Sequence, residues 1–214
     1  MTPAEVITEV RRIVQDTLAP YRYSDVVMLG YVNQTLKRMA ILRPDLFSDI
    51  VDIPTTADSA VQSLPVDAIR LLDIFQVKDG AAINEVDRET MNRNYPNWMT
   101  ETSGTPVNFM RHVKNPDRYF LYPRPTAGVI LVGEYAKSPI DYALGATISV
   151  ISDVYFPVIV DGTVFLAQSI DDEHVDSGRA KLFYDSFTQQ LGATLQGRKI
   201  TDTKNAGMDK GEVI

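Results

Sequence analysis

The sequence predicts an α+β protein: an antiparallel four-helix body, an inserted small antiparallel β domain and an extended C-terminal tail. Three observations lead there. Apolar residues recur every three or four positions near both ends of the chain; short β-prone runs split by Pro, Gly, Asn and Asp fill the middle; and the final stretch is polar with no periodic apolar face. The corresponding boundaries are 1–48 and 138–192 for the helical body, 49–137 for the β-rich insertion and 193–214 for the tail.

A first helix is expected over 3–18, where Val6, Val10, Ile13, Val14 and Leu18 form one stripe among Glu5, Glu9, Arg11, Arg12 and Asp16. Thr2 can cap it, Pro3 suits its first position, and Pro20 ends the pattern. Ser24 caps the second helix, Asp25 complements its dipole, and Met28 or Leu29, Val32, Leu36, Met39 and Ala40 line one face until Arg43-Pro44 stops it. In the insertion, 69–77 reads as a strand ending at Lys78-Asp79-Gly80, 85–94 as a short helix, and 107–113, 119–122 and 129–135 as three more strands. Lys114-Asn115-Pro116-Asp117 turns the first of those three into the second. Within RYFLYPRP at 118–125, Pro123 and Pro125 lack amide donors and must end the ladder. The segment 154–170 is apolar on more than one side and reads as the most buried helix, with Pro157 in its first turn. A last helix over 172–191 carries Val175, Leu182, Phe183, Phe187 and Leu191, and Gly192 can terminate it.

Composition narrows the function. With 44% hydrophobic and 23% charged residues the chain can build a real core, and its length allows one large domain or two small ones. A formal net charge of −7 argues against a protein whose task is to grip phosphate backbones, because that requires clustered Lys and Arg. Without cysteine there is no disulfide framework and no thiolate zinc site, which is compatible with a reducing cytoplasm. No stretch approaches the roughly 18 apolar residues of a membrane span, and no signal peptide is expected.

Motifs for chemistry are sparse. Asp171-Asp172-Glu173-His174 is the densest polar cluster; it can serve a small hydrolase as acid/base groups, or simply cap a helix and complement its dipole, and capping is the stronger reading. His112, the other histidine, alternates with strand neighbours, which fits a surface or cross-strand role better than metal ligation. No HExxH, GxSxG, GxGxxG or GxxxxGK[ST] spacing is present, so neither a cofactor nor a metal is expected. Arg11-Arg12, Lys37-Arg38 and Arg43 read as solvated or internally paired helix charges. Tyr95, Trp98 and Met99 lie in NRNYPNWMTETSGTP, whose composition suits an exposed contact with a tail component or a neighbouring subunit; the competing reading is a satellite hydrophobic cluster beneath a long loop.

The order of these signals resembles the head-to-tail adaptor proteins of tailed bacteriophages, also called connector or head-completion proteins. The likeness runs through YRYSDVVMLGYVNQTLKRMAILRPDLF, similar to that family's opening helical hairpin. It continues in GTPVNFMRHVKNPDRYFLYPRPTAGVILVGEYAKSP, with the pattern of Pro, strand, turn, strand, Tyr-Pro-x-Pro, strand, Tyr and Pro, and closes with FPVIVDGTVFLAQSIDDEHVDSGRAKLFYDSFTQQLG, a helical pair with an acidic link. The resemblance implies a structural virion protein without enzymatic activity, made in the bacterial host cytoplasm and placed in the neck. There it forms a homo-oligomeric ring, commonly dodecameric, between the portal protein and tail or nozzle proteins, through whose lumen DNA passes without specific binding. It also implies that a C-terminal extension docks on the portal while the β part faces the tail. The matching segment is 193–214, with Arg198, Lys199, Ile200, Lys204 and Lys210 as candidate portal-contacting residues.

Overall fold

A computed structural model describes residues 1–169 and 177–202, with the backbone alone for Ser177 and 193–202. The chain divides into two compact units, Met1–Leu42 with the described residues from Ile140 onward, and Arg43–Pro139.

The first unit holds helices α1 (Pro3–Val14), α2 (Asp25–Leu42), α4 (Phe156–Ala167) and α5 (Ser177–Asp202). Thr2 and Glu5 close a capping box at the start of α1. The helix ends at Val14, short of the expected 18, because Gln15 takes a left-handed φ of 59° and Asp16 turns inward towards Arg11. The Ser24 hydroxyl accepts from the Val27 amide at 3.4 Å at the start of α2. Helix α4 packs against α1, α2 and α5, and buries Val158, Ile159, Val160, Val164 and Leu166 on several sides, as its all-round apolar pattern implies. A 3-10 turn at Asp153–Tyr155 precedes it, and Pro157 sits in its first turn.

The second unit holds seven strands, one α-helix and a 3-10 turn at Pro44–Phe47. Strands β1 (Ser48–Pro54), β7 (Ile130–Lys137) and β3 (Ala68–Val77) form an antiparallel sheet in the order β1-β7-β3. Strands β2 (Val61–Ser63), β6 (Arg118–Tyr122), β5 (Asn108–Arg111) and β4 (Asn84–Glu85) form the other, in the order β2-β6-β5-β4, with β4 parallel to β5. Helix α3 (Arg88–Asn94) lies between β4 and β5 in the chain. Ile53, Leu71, Ile74, Leu131 and Tyr135 of one sheet pack with Phe109, Tyr119 and Leu121 of the other. Met110 and Phe120, on the opposite face of β5 and β6, pack with Ala60, Met91 and Trp98. The aromatic run of β6 is therefore covered on both faces, which is why it is nearly continuous rather than alternating.

Two expectations are corrected here. The chain is a mixed structure with five α-helices among the described residues and strands in two sheets, so a four-helix body bearing one small antiparallel sheet does not describe it. The short strands β2 and β4 carry too few residues for a period to show. The second correction concerns the extended tail expected from 193: α5 runs on to Asp202. Gly192 has neither a left-handed φ nor a neighbour within 4 Å of its absent Cβ, so it continues the helix rather than ending it. Residues 203–214 and 170–176 lie outside the described residues.

Tyr119 is fully buried, and its hydroxyl reaches no protein hydrogen-bond partner among the described residues. Burial pushes its phenol well above the ordinary tyrosine range. A buried hydroxyl without a partner carries its desolvation cost uncompensated, so Tyr119→Phe is expected to leave stability unchanged or raise it by about 1 kcal/mol. The same shift fixes a pH dependence. The unfolded phenol ionises near its ordinary value while the folded one stays neutral, so stability falls as pH rises above about 10. Denaturant unfolding from neutral to alkaline pH should show a smaller alkaline loss for Tyr119→Phe than for the parent.

Candidate functional site

The loop after α3 is held by its own backbone hydrogen bonds. Asp87 caps α3 through its carboxylate, which accepts from the Glu89 amide at 2.8 Å and the Thr90 amide at 3.2 Å. The Tyr95 amide donates to the Met91 carbonyl at 2.8 Å, the Trp98 amide to the Tyr95 carbonyl at 3.0 Å and the Thr100 amide to the Asn97 carbonyl at 2.9 Å, so the chain coils tightly through 95–100.

The three aromatic and thioether side chains expected at a contact surface separate into two environments. Trp98 is 2% exposed, meets the Phe120 ring edge-on at 5.5 Å, and donates its indole N–H to Asn92 Oδ1 at 2.8 Å. It anchors the cluster formed with Ala60, Met91 and Met110. Tyr95 and Met99 are 52% and 46% exposed. Tyr95 also leans on Tyr122, with ring centres 5.5 Å apart. Trp98 thus holds the loop from beneath while Tyr95 and Met99 are presented to solvent.

The Pro-Arg-Pro that ends β6 supplies the base of this loop. The Tyr122–Pro123 bond is cis, and the chain then runs alongside Gly104: the Gly104 amide donates to the Arg124 carbonyl at 2.8 Å and the Thr126 amide to the Gly104 carbonyl at 3.2 Å. Arg124 donates Nε to the Glu101 carbonyl at 2.8 Å and Nη1 to the Asp58 carbonyl at 3.2 Å, while the Asp58 amide donates to the Pro125 carbonyl at 2.9 Å. Ser103 Oγ donates to the Asp58 carboxylate. Three loops are thereby tied at one point. The Glu101 carboxylate accepts from the Tyr122 hydroxyl, and that bond holds the Tyr122 phenol above its usual value.

Elsewhere the polar residues are structural. Arg11, which the sequence offers as an ordinary helix charge, is 6% exposed and bonded to Asp16, Asp25 and the Tyr23 carbonyl. It follows Ile7, a buried residue beside the apolar stripe, by four positions and so falls on the same face of the helix. Arg12 pairs with Glu9, and Lys37 with Asp141. His112 stacks on Phe120 at 5.5 Å, and its Nδ1 accepts from the Lys114 and Asn115 amides at 3.2 and 3.0 Å, which shapes the β5–β6 turn. Among the described residues no three His, Cys, Asp or Glu gather as a metal site, and no helix is long and apolar enough to cross a membrane. Asp171, Asp172, Glu173 and His174, the groups a hydrolase would use, lie outside the described residues. So do Lys204 and Lys210; Arg198, Lys199 and Ile200 belong to α5, where the backbone alone is described.

A family model described as SU10 adaptor protein matches residues 1–208, nearly the whole chain. No curated protein matches it.

Proposed function

The chain belongs to the SU10 adaptor protein family, a family of phage head-to-tail adaptors, and from that membership we propose that it forms a ring which joins the portal to the tail and continues the DNA channel. That it is a phage structural adaptor and a virion component is the level at which the family itself speaks. The ring, its dodecameric count, the portal and the tail or nozzle proteins as partners are the finer reading.

The match over 1–208 carries the proposal, because it spans both units and the whole of α5. Two features support it. The helical unit leaves Leu18, Val26, Ile41, Ile140, Val154 and Leu182 between 68% and 83% exposed, apolar positions that packing against neighbouring copies would cover. The net charge of −7 suits a channel in which a lumen that repels phosphate lets the duplex slide. In this reading the segment from 193 on, with Arg198, Lys199, Ile200, Lys204 and Lys210, meets the portal, and Tyr95 and Met99 meet the tail.

Co-sedimentation of the full chain with purified portal particles tests the proposal. It expects a ring-sized species bound to the portal; a protein that stays monomeric and leaves the portal bare would refute it. Replacing Tyr95 and Met99 together by alanine is expected to cost no more than about 1 kcal/mol of stability, most of it the Tyr95–Tyr122 ring contact, while portal binding persists and tail attachment weakens. Thermal melting and a tail-joining assay on portal-bound particles read the two effects separately.

A further inference from the structure

The sheet β1-β7-β3 has two edge strands, and the chain treats them differently. On β3 the outward groups are occupied. Arg111 donates to the Leu71 carbonyl at 2.9 Å and to that of Leu72, the Ile83 amide donates to the Phe75 carbonyl at 3.0 Å, and the Leu71 and Val77 amides donate to Pro116 and Ala81 carbonyls. On β1 they are open. The Thr55 amide bonds the Val129 carbonyl at 3.3 Å, which sets the phase of the ladder with β7: the opposed pairs Ile53–Leu131, Val51–Gly133 and Asp49–Tyr135 exchange bonds. The amide and carbonyl of Ile50 and of Asp52 therefore point away from β7, and among the described residues nothing receives them. Ile50 is 64% exposed, and Pro54 closes the row of donors.

An open edge of this kind is a template for another strand. Its charges select which. Asp49 and Asp52 stand on the edge itself with side chains 70% and 49% exposed, and their lysine partners, Lys137 and Lys78, reach them from the β7 and β3 side. Glu134 faces Ile50 across the ladder. Pairing β1 with the β1 of a second copy would bring four aspartates together on two adjacent strands, which like charge disfavours. A segment bearing cations near Asp49 and Asp52 and an apolar side chain beside Ile50 meets the edge without that cost.

We propose that the free edge of β1 takes up, by strand addition, an extended segment of a partner protein that carries lysine or arginine at two positions three residues apart, one for each face of the edge, with apolar residues between and around them. The edge needs one such segment only, and it does not depend on the ring or its count.

The test uses the full chain, isotope-labelled, and two capped peptides as long as β1, one of valine with lysine at two positions three residues apart and the other with glutamate at those same positions. The lysine peptide is expected to slow amide exchange at Ile50 and Asp52 by about tenfold or more, leaving Val51 and Ile53 unchanged, and the glutamate peptide to have no effect. Ile50→Pro removes the outward donor without touching the β7 ladder, so it should abolish the protection while the β7 amides stay protected. The double variant Asp49→Lys, Asp52→Lys should transfer the protection to the glutamate peptide. Equal protection by both peptides, no protection at Ile50 and Asp52, or protection that survives Ile50→Pro would overturn the proposal. Portal co-sedimentation that is intact alongside any of these would show that this inference had failed and the adaptor reading had not.

Discussion

Gly162→Val is expected to unfold the helical unit at a markedly lower temperature than the parent. A Cβ at this position in α4 would lie 2.6 Å from the Thr35 methyl of α2 and 2.9 Å from two ring carbons of Phe187 in α5, closer than carbon atoms approach. Three helices converge there, and neither neighbour has room to retreat: Thr35 is fully buried and sits 3.4 Å from the Thr163 hydroxyl, and Phe187 is 2% exposed. Overpacking such a site costs about 3 kcal/mol for valine, and the gain in helix propensity over glycine, well under 1 kcal/mol for a β-branched residue, offsets only a part. For a unit of this size that is a fall in melting temperature of about 10 °C or more. Gly30 provides the control. It lies in α2 with nothing within 4 Å of an added Cβ, so Gly30→Ala should gain about 1 kcal/mol from propensity alone. Calorimetry or thermal circular dichroism on the pair decides it, and equal melting of Gly162→Val and the parent would contradict the packing described.

Arg11→Ala should cost about 3–5 kcal/mol, because it leaves a buried carboxylate without its counter-charge. Arg11 donates to Asp16 Oδ2 at 2.7 Å, to the Tyr23 carbonyl at 2.7 Å and to Asp25 Oδ1 at 2.8 Å, and its guanidinium lies 3.7 Å from the centre of the Tyr21 ring. Asp16, with an 8% exposed side chain, also accepts from the Arg22 amide at 2.9 Å. One side chain thereby fixes the whole turn between α1 and α2, and Tyr23 extends the hold to α4 by donating its hydroxyl to the Ala167 carbonyl at 2.8 Å. Lysine offers one point charge where the guanidinium offers a planar fork, so Arg11→Lys should recover little. Arg11→Met combined with Asp16→Asn removes both charges and should lose less than Arg11→Ala alone, which a double-mutant comparison by urea unfolding will read.

Much of this fold was legible in the sequence, and what was not has identifiable causes. Helix α1 announced itself through Thr2, Pro3 and a clean stripe, but its end did not, because it depends on the left-handed Gln15 and on Asp16 reaching back to a buried arginine. The β5–β6 hairpin followed from its turn residues, and the end of β6 from two prolines. β1 was missed as a strand in its own right because SDIVDIP gains its register from β7, some eighty residues on, through pairs such as Ile53 with Leu131. Gly192 misled because a glycine stops a helix only where the backbone turns left-handed, and here it does not. In the loop after α3, composition could not tell Trp98, the anchor, from Tyr95 and Met99, the exposed pair; that division depends on Phe120 and Asn92 beneath it.

In the proposed function the chain assembles with copies of itself on a larger particle. Electron cryomicroscopy of the full chain mixed with portal particles tests this most directly. It should show a closed ring of copies stacked coaxially on the portal, with an open axial channel and the segment from 193 on against the portal surface. Portal particles that carry scattered single copies, or none, under conditions where the protein is folded would contradict it.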